Sequence, residues 1–151
     1  MRERSEDMEN RIYGAGDVLS LYGWLGKSEE ELGIDNEYII AVTLCHEVEF
    51  EGTLFGQEAN GSVIFRPVGA DKVQTAETVY IYSHALGYDD CREKLTELYG
   101  EPEYENEEPY VESLGGCVIT CCFRNGSNKI KLETASERDY IDVILKSGET
   151  I

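Results

Sequence analysis

The best catalytic pair in this chain is His84 with Cys91. Cys91 falls in the first turn of a helix expected over Asp89 to Tyr99, where the helix N-terminus stabilises a thiolate. His84 is near enough in sequence to act as its base, with Asp89 or Asp90 orienting the imidazole. That pattern would make a small cysteine/histidine-dependent enzyme. Against it, Cys91 also opens an apolar stripe continued by Leu95 and Leu98, which favours a core residue. His46 stands beside Glu47 and Glu49 without an H-E-x-x-H helix, and strand neighbours point apart, so it reads as a structural histidine at a strand end. Cys117 and Cys121 are about 13 Å apart along a strand, too far for one zinc ion. Gly14-Ala15-Gly16 is only a fragment of a glycine-rich loop, and the following Asp17 would repel phosphate. No metal and no cofactor is expected.

Three tyrosines carry a different kind of chemistry. Tyr80, Tyr82 and Tyr140 alternate with apolar residues on two strands and share the face turned away from the helices, near the carboxylates Glu49, Glu51 and Asp142. Aromatic residues beside carboxylates suit the anchors of a protein interface, although tyrosine also favours strands for its own sake. Charge sets the sign of the partner. The chain's 151 residues carry 13 Lys and Arg against 31 Asp and Glu, a net charge of −18. Such a chain repels phosphates and anionic lipid headgroups, and no Lys/Arg cluster stands out along it, which excludes nucleic acid and membrane surfaces and leaves a basic protein surface. Oligomeric state is left open.

With 41% hydrophobic residues, including 10 Tyr, 4 Phe and 1 Trp, the chain can bury a core. The mixed charges of Met1 to Asn10 lack the apolar run of a signal peptide and read as a solvated tail, and nothing approaches the roughly 18 apolar residues of a membrane span. With an odd count of five Cys, this predicts reduced thiols and a cytoplasmic location.

The elements that would position these residues form an α+β domain of antiparallel sheet with helices on one face. In the Asp89 to Tyr99 helix, Asp90 and Glu93 have capping-box spacing; Ser28 and Glu31 start a shorter helix that Gly33 ends; Asp17 caps Val18 to Trp24. Strands are expected at Tyr38 to Leu44, Val48 to Phe55, Ser62 to Arg66, Thr78 to Ser83, Cys117 to Arg124, Lys129 to Glu133 and Tyr140 to Lys146. In the last, Ile141, Val143 and Leu145 form the core face. Asn60-Gly61 and Asn125-Gly126 are read as hairpin turns. The acidic, proline-bearing stretch Glu101 to Glu112 is read as a loop.

Caps, hairpin glycines and final strands recur roughly 60 to 65 residues apart, which predicts two tandem copies of a helix-then-sheet unit. The expected organisation is a flexible tail over 1–16 and one domain over 17–151, with half-repeats at 17–87 and 88–147.

The run Leu25-Gly26-Lys27-Ser28-Glu29-Glu30-Glu31-Leu32, entering a helix ahead of antiparallel strands, resembles the β-lactamase-inhibitor-like and small outer-membrane-lipoprotein fold over about Asp17 to Lys146. The second half departs from it, starting at Tyr88-Asp89-Asp90 with no Gly-Lys-Ser entry. The resemblance implies a tandem helix-loop-helix on four-stranded sheets, and a non-catalytic scaffold that binds another protein with its open sheet face.

Overall fold

The computed structural model describes residues 11–109, 117–135 and 138–147. Period-two alternation runs through most of them, and the strands it generates join one mixed nine-stranded sheet. These are β1 (Tyr13–Asp17), β2 (Ile39–Val42), β3 (Cys45–Leu54), β4 (Gln57–Val68), β5 (Val73–Ser83), β6 (Tyr104–Pro109), β7 (Cys117–Asn125), β8 (Asn128–Ala135) and β9 (Ile141–Lys146). Strand order is β1-β3-β4-β5-β9-β8-β7-β6. β1 is parallel to the second half of β3, β2 is antiparallel to its first half, and every other pairing is antiparallel. Two meanders, β3–β5 and β7–β9, thus meet edge to edge where β5 pairs with β9.

The expected α+β layering in tandem copies is overturned. Strand makes up 56% of the structure against 21% helix, and the sheet is single and continuous. The helical pieces are a 3-10 segment over Val18–Trp24, α1 (Glu29–Leu32), a 3-10 turn over Asn36–Tyr38 and α2 (Tyr88–Tyr99), and only α2 is longer than 7 residues, so they form no helical layer matching the sheet. Two of the repeat markers also fall at unlike places. Asn60-Gly61 lies inside β4, and the β3–β4 turn is Phe55-Gly56, both at positive φ. Gly61 serves packing: a Cβ there would lie 1.8 Å from the Tyr80 carbonyl oxygen and 2.9 Å from Phe50 Cζ. Asp90 does not cap α2, whose N-cap is Gly87 with no side-chain bond. Asn125-Gly126 does turn the chain from β7 into β8.

Local chemistry elsewhere acts as the residue types dictate. Asp17 accepts from Leu19 N at 3.1 Å, and Ser28 and Glu31 make a reciprocal capping box, closed by Gly33 in the left-handed region. Residues 13–16, assigned to the tail, belong to β1; Met1 to Asn10 lie outside the described residues. The Glu101 to Glu112 loop is corrected over its middle, where β6 pairs with β7. Its carboxylates are held by cations from elsewhere: Arg92 of α2 forks onto Glu105 at 2.6 and 2.9 Å, and Arg124 of β7 reaches Glu103 at 2.8 Å.

One core runs under the whole sheet. Phe50, Phe65 and Phe123 are its largest fully buried side chains, joined by Ile141, Val143 and Leu145 of β9, and α2 contributes Cys91 and Leu95. Leu98, placed on that helix's apolar stripe, is 57% exposed. An aromatic group of Tyr13, Trp24, Tyr38 and Phe65 covers the first meander, while Tyr22 stacks on Tyr99 of α2 at 6.2 Å and ties the two ends of the core together.

Candidate functional site

Because side chains alternate, burying Val48, Phe50, Val63, Val79, Ile81, Leu132 and Val143 turns the residues between them onto the opposite face, which no described helix covers. Strand register arranges that face in rows. One runs Glu47, Ile64, Thr78, Lys146, Lys129, Arg124; the next Glu49, Ser62, Tyr80, Ile144, Lys131, Cys122; the third Glu51, Asn60, Tyr82, Asp142, Glu133, Thr120. The three tyrosines and three carboxylates singled out above therefore share one surface. Tyr80 and Tyr82 are 38% and 40% exposed, and Tyr82 meets Tyr140 edge-on at 6.4 Å.

At the lip beyond the third row, Arg138 reaches Asp142 Oδ2 at 3.1 Å and lies over the Tyr140 ring at 5.7 Å, while the His84 ring packs tilted against Tyr140 at 5.4 Å. Burial pushes the Asp142 carboxyl above its ordinary range, with Arg138 opposing and Glu133 adding to the rise. Burial also raises the Tyr82 phenol, helped by Asp142 and Glu47. Asp142 Oδ1 is buried and accepts no hydrogen bond among the described residues. A shallow depression of about 500 Å³ opens beside Tyr82, lined by Glu51, Thr53, Glu58, Asn60 and His84; a smaller one of about 310 Å³ follows between Ile12, Glu49 and Tyr82.

The catalytic alternative is not assembled. Cys91 is fully buried in the core, its thiol pushed up to about 12 by burial with Cys121 beside it, so it holds no thiolate at neutral pH. His84 sits on the surface with Nδ1 3.4 Å from Asp139, and Asp89 is exposed in the first turn of α2. His46 has a structural role: its Nδ1 lies 2.7 Å from Glu29 Oε2 and ties β3 to α1. Among the described residues, no group of His, Cys, Asp and Glu could hold a metal ion, and no helix is long and apolar enough to cross a membrane.

The sequence reading missed the cations. Lys146, Lys129 and Arg124 are consecutive neighbours in one row and Lys131 is in the next, a positive half-face on a chain read as having no Lys/Arg cluster. The signal was Lys129 and Lys131 two apart on one strand, with Arg124 the hairpin partner of Lys129 across Asn125-Gly126; Lys146 joins them only through the pairing of β8 with β9. Comparison with family models, curated proteins and solved structures finds no match to this chain.

Proposed function

We propose that this chain is a non-catalytic, acidic protein-binding module of the inhibitory or immunity kind, which docks a basic protein surface on its open sheet face. The observation that carries the reading is the co-location of half-exposed Tyr80 and Tyr82 of β5 with Glu47, Glu49 and Glu51 of β3, one strand away across β4, on one uncovered surface. Tyrosine anchors bury area at low entropic cost and are worth about 2 kcal/mol or more each at a hot spot. The carboxylates and the charge of −18 speed encounter with positive surfaces. The depression beside Tyr82, walled by Glu51 and Glu58, offers a lysine or arginine both a ring and carboxylates. Cys45, Cys91, Cys121 and Cys122 form no disulfide bond among the described residues, which fits a reducing cytoplasm.

Affinity capture from lysate at low and high salt tests it, with the Tyr80→Ala/Tyr82→Ala double variant as control. A basic protein retained at low salt, released by high salt and lost from the variant is the expected result. Retention by both proteins alike would remove the tyrosine face from the interface.

A further inference from the structure

The open face is electrically two-sided. Carboxylates occupy all three rows of β3, whereas the β9–β8–β7 half presents Lys146, Lys129, Arg124 and Lys131 in the first two rows and Asp142 and Glu133 in the third. Cations directly opposite one another across strands, as Lys129 is to both Lys146 and Arg124, destabilise a sheet. Glu103 at 2.8 Å from Arg124 and Glu133 at 3.6 Å from Lys131 offset part of this charge, and an anionic counterpart would offset the rest.

The geometry points to a second copy of this chain as that counterpart, docked face to face about a two-fold axis that runs along the strands between β5 and β9. Such an axis lays β3 of one copy over β7 of the other, β4 over β8 and β5 over β9, and keeps each row at its own level. Glu47 then meets Arg124, Tyr80 meets Ile144, and the Tyr82 hydroxyl meets Asp142, whose buried Oδ1 accepts no hydrogen bond among the described residues. No carboxylate is set against a carboxylate, because Glu51 falls on Thr120 and Glu133 on Asn60. The other dyad that can lie in the face, across the strands, would stack Glu47 on Glu51 and Glu49 on itself. Packed sheets keep their strands within about 30° of each other, so these correspondences hold by strand and row.

The area is adequate. Six strands at about 4.8 Å spacing, each about eight residues long, give a face of roughly 24 by 27 Å, about 650 Å², close to the approximately 800 Å² per partner of a standard interface. This inference does not rest on the basic partner proposed above; such a partner would compete with the second copy for Tyr80 and Tyr82.

Sedimentation velocity on the full chain, from about 1 μM to about 1 mM at physiological ionic strength, tests it, since a Debye length of about 8 Å screens the repulsion between two chains of −18. The wild type is expected to dimerise in the micromolar range. Glu47→Arg and Arg124→Glu, each shown to be folded by circular dichroism, are each expected to weaken the dimer at least tenfold. An equimolar mixture of the two should recover it, because a mixed dimer about this axis opposes charges at both contacts. Tyr82→Phe, which loses only a hydroxyl and leaves the fold unperturbed, should weaken it several-fold. A wild type that stays monomeric at about 1 mM overturns the proposal. So does a dimer indifferent to Tyr82→Phe and to the charge reversals, or a mixture no tighter than its components.

Discussion

The β3–β5 and β7–β9 meanders share a strand order and meet at a common seam, yet they are finished by different means. On the core side the first is covered by rings, Tyr13 of β1 packed against Trp24 and Tyr38 of the 3-10 segments, with Trp24 reaching Phe65. The second is covered by α2, which supplies Cys91 and Leu95 where the first uses aromatics. On the outer side the first carries glutamates and tyrosines, and the second lysines and Arg124 with Asp142 and Glu133 at one end. A meander thus constrains only its alternation and its turns; what covers it and what it displays are free to diverge.

The largest contrast should appear in thiol reactivity. Cys45, in the first meander, is half-exposed with its Sγ 2.9 Å from Arg66 Nη1, whereas Cys91 is sealed in the core with its thiol raised to about 12. Alkylation at neutral pH should modify Cys45 readily and Cys91 only through unfolding, a protection worth the whole stability of the chain, on the order of 5–15 kcal/mol. Site-resolved mass spectrometry reads this directly, and rapid native labelling of Cys91 would mean that α2 detaches on its own.

A smaller effect separates the two Asn-Gly sites. Gly61→Ala drives a methyl group against the Tyr80 carbonyl and the Phe50 ring, so denaturant titration should show a loss of about 3 kcal/mol, the top of the overpacking range. Gly126→Ala meets open space and bears only its φ of +63°, for about 1 kcal/mol. Equal losses would place Gly61 in a turn after all.

The helix caps should differ by about 1 kcal/mol. Ser28→Ala removes a capping box and should lower stability by that amount, while Asp90→Ala should change it by no more than a few tenths, since no cap bond depends on it. Thermal melts of the two variants decide this.

The smallest effect is a pH slope from the seam itself. A carboxyl raised by burial holds its proton more tightly folded than unfolded, so the contribution of Asp142 is greatest below the ordinary carboxyl range and declines as pH climbs through its raised value. Between about pH 4 and pH 7 the wild type should therefore lose stability relative to Asp142→Asn. A gain instead would show that the Arg138 pair at 3.1 Å outweighs burial.

Several of these features were legible in the sequence because they are local. Ile141, Val143 and Leu145 announce their face by period two, and Ser28 with Glu31 completes its own cap within one turn. β6 was not legible: its Glu105 and the preceding Glu103 look solvated until Arg92 and Arg124 arrive from other elements. Gly61 was misread because a glycine that admits a ring and a carbonyl looks the same as one that turns the chain. The tyrosine surface was foreseen because alternation is enough to define a face. Its positive half was not, because Lys146 comes beside Lys129 only once β8 and β9 have paired.

The seam between β5 and β9 also bears on how the chain leaves the ribosome. Val79 and Leu145 are partners, yet they stand 66 residues apart in the chain. At about 5–20 residues per second, β5 waits on the order of 3–12 s after its own synthesis before β9 can cover its edge. For that interval a nascent chain carries a finished first meander whose last strand shows an unpaired backbone beside Val79 and Ile81, a template for pairing with neighbours on the same message. Crowded polysomes should therefore be where this protein is most in need of a chaperone.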